Sequence, residues 1–327
     1  GKPMEQNKYI LGVDIGGTTC KCGIFDLNLT LLKHFEINTD TSHNGQNIIK
    51  NIYTSFTKYF DEPLTDINIA GIGIGVPGPV DHTNEIIRGA INLGWPDWYN
   101  VSEEMKKYIN TKVVVLNDAN AAALGEHTQS NSSHESSVLI TLGTGVGGGI
   151  VLNNQLITGE NGAAGELGHM PVDTMFNFKC NCGLTGCLET VASATGIVNI
   201  AKYYYEQNDE KYSSSLYNLI ETDQLTAKEV FDAAKQNDEL AHHIIDIISL
   251  YIAKAISMIS VTINPSLVLI GGGVSRAGDI LMNRIKKHVE SLTFDRAYEE
   301  LTIEYATLLN QAGIYGAASI IKTSIDS

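Results

Sequence analysis

Residues 11–26 read LGVDIGGTTCKCGIFD, and residues 140–154 follow the same plan as ITLGTGVGGGIVLNN. Each stretch consists of an apolar run, a glycine-rich turn and a second apolar run, which predicts two strands joined by a tight turn. Because glycine has no side chain, such a turn can align backbone N–H groups in the way that binds phosphate oxygens. The repetition predicts a duplicated, two-lobed architecture.

Strand-like segments alternate with helical ones along the chain. Short apolar runs, four of which end in glycine or aspartate, are separated by amphipathic segments; they are residues 9–16, 68–76, 112–118, 137–143 and 266–273. This alternation is typical of an α/β fold. With 327 residues, of which 43% are hydrophobic, the chain can bury a large core and is expected to form about two domains.

The composition argues against nucleic acid and against a membrane as partners. The net charge is −15, so we expect no basic surface that could displace the counterions of a polyanion. Residues 244–263 approach the length of a membrane span, but Asp246 and Lys254 interrupt them, which favours a long buried helix. The first residues lack the charged and then apolar pattern of a secretory signal, and we expect the protein in the cytoplasm.

The glycine turns are the first functional signal. GTGVGG at residues 143–148 fits the formula G-x-G-x-x-G, but the next segment reads as a strand, whereas a dinucleotide-binding fold requires a helix there. In DIGGTT at residues 14–19, the Asp14 carboxylate is suited to hold a magnesium ion, or its water, beside phosphate groups. Together the turns imply a nucleotide between two lobes, although each alone is also compatible with a simple tight hairpin.

A third turn, GGGV at residues 271–274, follows a buried strand and is expected to approach the nucleoside. The candidate nucleotide-binding residues of the three turns are Asp14, Gly16, Gly17, Thr18, Thr19, Gly143, Thr144, Gly145, Gly147, Gly271, Gly272 and Gly273.

Three of the five cysteines are clustered. Cys180, Cys182 and Cys187 lie close together in the sequence, and His169 precedes them. Three thiols and an imidazole suit a closed structural zinc site, and the alternative is three buried thiols without a metal. A disulfide is not expected in a cytoplasmic protein with an odd number of cysteines.

Cys20 and Cys22 form a separate pair in the strand after the first glycine turn. Alternation places both on one face of that strand, so we interpret them as packing residues. A second metal site there would lack other ligands. Any further role of the two thiols stays open.

The motifs of the chain occur in the order DIGGT, GVPGPV, LNDANAAALGE, LGTGVGGG, GELGH, CNCGLTGCLE and IGGGV. In this order they resemble the ROK family of sugar kinases and repressors, within the actin-like ATPase superfamily. The resemblance extends from about residue 9 to about residue 320. The loops GVPGPVD and INLGWPDW are most similar to those of the bacterial glucokinase branch of the family.

The resemblance implies a two-lobed actin-like ATPase fold, which is ribonuclease H-like, with a cleft between the lobes. The smaller lobe is expected to comprise residues 1–118 and to be closed by the C-terminal helix at residues 312–327. Residues 119–311 are expected to form the larger lobe with the zinc site.

The resemblance also implies an enzyme that phosphorylates glucose to glucose 6-phosphate with ATP and Mg²⁺. By its position before a helical segment, Asp118 alone would be interpreted as a helix N-cap. The resemblance instead makes it the general base that accepts the proton of the sugar hydroxyl. The residues implied to bind the sugar are Asn92, Asn117, Asp118, Glu166, His169 and Glu189.

Members of the family carry the cysteine cluster as a zinc site, so structural Zn²⁺ is implied here. If one nitrogen of His169 binds the metal and the other faces the sugar, the metal fixes the orientation of a substrate ligand. Loss of zinc is then expected to weaken glucose binding more than ATP binding, because the glycine turns are expected to lie far from the cluster.

Other functions remain to be weighed. Repressors of the family carry a DNA-binding segment before the first phosphate turn, and Asp14 is expected to lie too near the N-terminus for one. A non-catalytic sugar sensor is disfavoured because Asp118 and both phosphate turns are intact. Among kinases, the alternatives are fructose, mannose, N-acetylglucosamine or N-acetylmannosamine as substrate, since selectivity depends on the pocket around the second carbon. The family implies a dimer or tetramer, while the sequence leaves oligomeric state and regulation open.

Overall fold

The computed structural model describes residues 8–60, 64–65, 68–130, 134–207 and 212–326. Its strands are β1 (Tyr9–Ile15), β2 (Thr19–Asp26), β3 (Leu31–Asn38), β4 (Ile69–Val76), β5 (Ile86–Arg88), β6 (Trp98–Asn100), β7 (Val113–Asn117), β8 (Ser137–Leu142), β9 (Val146–Leu152), β10 (Gln155–Ile157), β11 (Leu267–Gly271) and β12 (Thr302–Tyr305). Its α-helices are α1 (Ile48–Tyr59), α2 (Val101–Lys106), α3 (Asp118–Gln129), α4 (Leu188–Ala192), α5 (Ala194–Glu206), α6 (Leu216–Glu221), α7 (Ala227–Lys235), α8 (Glu239–Thr262), α9 (Asp279–Leu292), α10 (Asp295–Tyr298) and α11 (Ala312–Asp326).

By compactness the chain divides into two units. Unit 1 comprises residues 1–133, 149–165 and 308–327, and unit 2 comprises residues 134–148 and 166–307. The division falls inside β9, whose first residues belong to unit 2 and whose remainder belongs to unit 1.

The first sheet has the strand order β3–β2–β1–β4–β7 and belongs to unit 1. The strands β1, β2 and β3 are antiparallel, whereas β4 is parallel to both β1 and β7. Most residues of β1 and β4 are buried, as expected for strands covered on both faces. The apolar runs at residues 9–16, 68–76 and 112–118 thus form neighbouring strands of one sheet.

The second sheet repeats this plan in the order β10–β9–β8–β11–β12. A glycine turn joins β8 to β9 as another joins β1 to β2, and β11 is parallel to both β8 and β12. The predicted duplication is confirmed. A strand, β9, follows the second glycine turn, so the dinucleotide-binding fold was correctly excluded. The short strands β5 and β6 form a separate two-stranded sheet.

The C-terminal helix α11 packs against α3 and against β1 and β4. A Cβ atom at Gly316 would lie 1.6 Å from the carbonyl oxygen of Ala121, and one at Gly73 would lie 1.8 Å from that of Ala317. Only glycine permits backbones to approach so closely. This packing is why compactness groups α3 with unit 1. The lobe boundaries after residue 118 and before residue 312 stay a prediction.

Among the described residues, α8 is the single helix long and apolar enough to cross a membrane. Its most apolar window is 61% buried, and the helix packs against α4, α5, α7 and α9 of the same unit. Asp246, which interrupts the apolar run, pairs with Nε2 of His288 at 2.8 Å. The segment is a largely buried core helix of unit 2, as the sequence predicted.

Candidate functional site

The first glycine turn, between β1 and β2, is held by hydrogen bonds on its backbone. The Gly16 N–H donates to the Thr19 carbonyl oxygen at 2.9 Å. Immediately after β3, the Thr39 hydroxyl donates to the Gly16 carbonyl at 2.7 Å, and the Thr39 N–H donates to that of Thr18 at 2.8 Å. The buried Cys20 thiol lies 3.3 Å from the Thr39 hydroxyl oxygen. Since the Thr39 proton is used at Gly16, the thiol is the donor, and Cys20 contributes to the turn as well as to packing.

Asp14 lies near the end of β1, where glycines make room for its carboxylate. A Cβ atom at Gly313 would lie 2.5 Å from Oδ2, and one at Gly75 would lie 3.5 Å from Oδ1. Burial, followed by the negative charge of Asp118, raises the pKa of Asp14 from 3.8 to about 6, while Lys21 acts in the opposite direction. A hard cation with oxygen ligands would relieve the repulsion between the two carboxylates, so these residues fit a magnesium site.

Asp118 is the first residue of α3, and its neighbour Asn117 is the N-cap. Oδ1 of Asn117 accepts hydrogen bonds from the N–H groups of Ala119 at 3.0 Å and Asn120 at 3.3 Å. The Nδ2 of Asn117 donates to the Gly78 carbonyl at 3.0 Å. The N-cap interpretation of Asp118 is therefore wrong, because the preceding residue takes that role. The exposed Asp118 carboxylate stays at the surface of unit 1.

Asn92 lies beside the first glycine turn. It belongs to a 3₁₀ turn, Ile91–Leu93, and its Nδ2 atom lies 3.7 Å from the position of a Cβ atom on Gly17. A predicted sugar ligand and a predicted phosphate-binding turn are thus neighbours within unit 1. A pocket beside Asn117 in the same unit is lined by Val80, Asp81, His82, Asn84, Leu116, Asn117, Asn120, Thr158, Gly159 and Gly162.

The four predicted metal ligands converge in unit 2. The ligand atoms of His169, Cys180, Cys182 and Cys187 all lie within 4.8 Å of one another. The sulfurs of Cys182 and Cys187 are 3.6 Å apart, and the Cys180 sulfur is 3.7 Å from His169 Nδ1. Neighbouring ligand atoms of a tetrahedral zinc site with Zn–S bonds of about 2.3 Å are about 3.8 Å apart. The geometry fits such a metal and assigns Nδ1 of His169 to it.

The thiols of this Cys/His cluster influence one another. The Leu184 N–H, as the largest influence, lowers the pKa of the Cys182 thiol to about 7. Burial, followed by the hydrogen bond to Cys182, raises the pKa of Cys187 to about 12. Several thiolates at this spacing require a compensating positive charge, which a thiolate-binding metal supplies.

Asp173 organises the loop between His169 and Cys180, a role that the sequence did not reveal. Its carboxylate accepts hydrogen bonds from the Met175 N–H at 2.8 Å, the Asn177 N–H at 2.9 Å and the Tyr251 hydroxyl at 2.5 Å. Because Tyr251 lies on the core helix α8, this bond fixes the loop to the interior of unit 2.

The second glycine turn contacts Glu189, which follows the Cys/His cluster. The Val146 N–H donates to Oε2 of Glu189 at 3.0 Å, and a Cβ atom at Gly145 would lie 2.8 Å from that oxygen. The Ala194 N–H donates to the Gly143 carbonyl at 2.7 Å. The expectation that the glycine turns lie far from the cluster is therefore wrong for this turn, since residues 189–194 fold back onto it.

The third glycine turn lies next to the second within unit 2. Gly272 has a φ of 83°, and a Cβ atom there would lie 2.4 Å from the Leu142 carbonyl oxygen. Leu142 ends β8, immediately before the second turn. The position therefore requires glycine both for its conformation and for space.

The structure thus brings the predicted site residues together in groups. In unit 1, the negative charge of Asp118 acts on Asp14, and Asn92 neighbours Gly17. In unit 2, His169 joins the Cys/His cluster and Glu189 joins the second turn, while Glu166 is exposed on the loop before His169. The sequence missed Thr39 and Gly313, because each reaches its partner only through the fold.

Comparisons with known proteins agree with this architecture. The model of the ROK family matches residues 10–324. A glucokinase of Halalkalibacterium halodurans is 38% identical, with 98% of this chain and 97% of that protein covered. A solved ROK family glucokinase from Streptomyces griseus, in complex with glucose and AMPPNP, is 30% identical with a TM-score of 0.73, and the match covers 95% of this chain and 98% of that one.

A transcriptional regulator is also similar: a xylose repressor of Caldicellulosiruptor bescii is 30% identical over 79% of this chain and 64% of that protein. ROK sugar kinases have the two-lobed actin-like ATPase fold. With the two repeated sheets, the structural match confirms the predicted α/β fold class.

Proposed function

Since this chain belongs to the ROK family, we propose that it transfers the terminal phosphoryl group of ATP to the 6-hydroxyl of glucose. The observation that carries the proposal is the placement of Asp118. Its carboxylate is exposed at the start of α3, where Asn117 is the N-cap, and its negative charge acts on the magnesium candidate Asp14.

Asp118 is the general base of this proposal. It accepts the proton of the 6-hydroxyl as that oxygen attacks the terminal phosphorus of ATP, and the bond from this phosphorus to the leaving ADP oxygen breaks. The N–H groups of the glycine turns orient the phosphates. Asp14 would hold magnesium bound with ATP, directly or through water, and the ion would supply positive charge that neutralises the phosphate oxygens.

The hexose ligands of this proposal are three carboxylates, two amides and one imidazole. They belong to Asn92, Asn117, Asp118, Glu166, His169 and Glu189. Carboxylates accept hydrogen bonds from sugar hydroxyls, and the amide of Asn92 can both donate and accept, which suits a polyol. The candidate nucleotide-binding residues of the three glycine turns contact the nucleotide.

Zinc is the metal proposed for the Cys/His cluster. The ligand spacing and the donor set of three thiols and one imidazole support it. With Nδ1 assigned to the metal, the Nε2 of His169 is left to face the sugar, and the metal sets the orientation of that ring.

The similarity to glucokinases supports a cytoplasmic enzyme, and we further propose a dimer or tetramer, which light scattering would test.

The test is to measure ADP release with glucose, fructose, mannose, N-acetylglucosamine and N-acetylmannosamine side by side. Glucose is expected to give the highest kcat/KM, and omission of Mg²⁺ is expected to abolish turnover. Activity confined to an amino sugar would overturn glucose as substrate but leave a sugar kinase. Absence of turnover with every sugar, combined with tight sugar binding, would favour a sensor or regulator instead.

A further inference from the structure

The second glycine turn and two segments that carry proposed hexose ligands are packed directly on one another. All three belong to unit 2: the turn at residues 143–148, the loop at residues 166–169 and the segment at residues 187–196. In the proposed function the turn binds the phosphates of ATP and the other two bind the sugar. Two substrates that bind independently would not require these segments to touch, yet the segments are in direct contact.

The first contact is the carboxylate of Glu189. Its Oε2 accepts the Val146 N–H at 3.0 Å, and the absence of a side chain at Gly145 is what lets the carboxylate approach, since a Cβ atom there would lie 2.8 Å from the same oxygen. A hydrogen bond to a carboxylate is stronger than one between neutral groups. Glu189 therefore holds both the position and the conformation of the turn.

The second set of contacts holds the turn from the adjoining segments. A Cβ atom at Gly168, in the loop before His169, would lie only 2.3 Å from the Val146 carbonyl oxygen. The Thr195 hydroxyl donates to the Thr144 carbonyl at 3.0 Å. Both segments therefore contact the backbone of the turn directly.

We propose that Glu189 couples the two substrates, because it binds the hexose and holds the phosphate turn at the same time. This inference rests on the proposed hexose kinase function. A sugar hydroxyl on Glu189 fixes the carboxylate, which fixes the Val146 N–H and thus the turn that receives the phosphates. Binding of the first substrate bears the entropic cost of ordering Glu189 and the turn, and the second substrate then binds residues that are already ordered. Each substrate therefore strengthens the binding of the other by the same factor. The factor expected is about fivefold to tenfold, at the lower end of the usual range.

The first test changes the glycine turn and measures the effect on glucose binding. Calorimetry measures glucose affinity without nucleotide for wild type, Gly145→Ala and Gly143→Ala. Neither glycine has a φ in the left-handed region, and a Cβ atom at Gly143 meets no other atom closer than 4.0 Å, so Gly143 is a matched control in the same turn. Gly145→Ala is expected to weaken glucose binding about tenfold, which corresponds to about 1.4 kcal/mol, and Gly143→Ala less than about twofold. Unaltered glucose affinity in Gly145→Ala would overturn the coupling.

The second test changes a proposed hexose ligand and measures the effect on nucleotide binding, with no hexose present. The affinity for AMPPNP is measured for Glu189→Ala and for Glu166→Ala, which removes another proposed hexose ligand. Glu189→Ala is expected to weaken AMPPNP binding about fivefold to tenfold, and Glu166→Ala to leave it unchanged. Equal AMPPNP affinities in the two variants would contradict the inference. Zinc content and the midpoint of thermal unfolding verify that each variant remains folded.

Measurements on the wild-type protein distinguish a failure of this inference from a failure of the proposed function. Glucose affinity is expected to rise about fivefold to tenfold when AMPPNP is present. A protein that phosphorylates glucose but binds it equally well with and without AMPPNP would overturn the coupling alone. A protein that phosphorylates no hexose would overturn the proposed function, and the coupling with it.

Discussion

Replacing Asp14 with asparagine is expected to stabilise the protein while abolishing its use of MgATP. Burial and the charge of Asp118 raise the pKa of the Asp14 carboxyl from 3.8 to about 6, which means that its ionisation costs folding free energy. Asparagine keeps the size of the side chain and cannot ionise. The same change removes the proposed magnesium ligand, so stability and activity are expected to change in opposite directions.

The size of the gain depends on pH. Below pH 3.8 Asp14 is protonated in the folded and the unfolded chain, and asparagine gains nothing. Between pH 3.8 and about 6 the unfolded chain ionises first, so the cost to the wild type rises by about 1.4 kcal/mol for each pH unit. The gain is therefore about 1.5 kcal/mol at pH 5 and reaches about 3 kcal/mol at pH 8 as an upper limit.

Urea unfolding without ATP or magnesium, at pH 5 and pH 8, measures this difference. The two tryptophans, Trp95 and Trp98, belong to unit 1 together with Asp14, so their fluorescence reports the unit that the substitution affects. Glu36→Gln is the control, because it removes an exposed carboxylate of the same sheet. Its effect is expected to stay within about 0.5 kcal/mol at both pH values.

Two results would refute the reasoning on Asp14. An Asp14→Asn variant less stable than wild type at pH 8 would mean that the carboxylate is stabilised by its surroundings. An equal gain at pH 5 and pH 8 would mean that ionisation is not the cause. A variant that keeps wild-type kcat/KM for MgATP would separately refute the assignment of Asp14 to magnesium.

The remaining predictions concern the base, the metal and the first turn. Asp118→Asn is expected to lower turnover by about 10² to 10⁴-fold while glucose still binds, because the amide cannot accept the proton; steady-state kinetics and calorimetry separate the effects. Cys182→Ser is expected to release the zinc, present at about one per wild-type chain by elemental analysis. It should also weaken both glucose and AMPPNP binding, because Glu189 follows the cluster and contacts the second turn. Thr39→Val is expected to raise the KM for MgATP about twofold to tenfold and leave that for glucose unchanged, since the turn loses the hydroxyl that donates to Gly16.

Each of these predictions has a control or a contrary outcome. Near-normal turnover of Asp118→Asn would mean that another group accepts the proton. Cys182→Ser with full zinc content would show that the cluster holds no metal through this thiol. Thr57→Val is the control for Thr39→Val. It removes a hydroxyl that donates to the Thr54 carbonyl within α1, and it is expected to leave both KM values unchanged. A Thr39→Val variant with the same kinetics would contradict the role given to that side chain.

Features encoded in neighbouring residues could be predicted from the sequence. Each glycine turn lies between two strands that its own flanking residues form, so β1–β2 and β8–β9 follow from local hydrophobic pattern and glycine content. The Cys/His cluster is also local, because its four ligands lie within residues 169–187. The order of the motifs then sufficed for the fold class and the family.

Contacts between distant residues were decided only by the tertiary structure. The sequence shows that Asn117 and Asp118 both precede a helix, but only the backbone conformation determines which of them caps it. Thr39 reaches Gly16 because β3 pairs with β2 in one register, and Gly313 reaches Asp14 because α11 packs on the first sheet. Glu189 likewise meets Val146 through the folding of unit 2. A hydrogen bond between residues far apart in the chain depends on the packing of all the elements between them, and no local pattern of side chains specifies that packing.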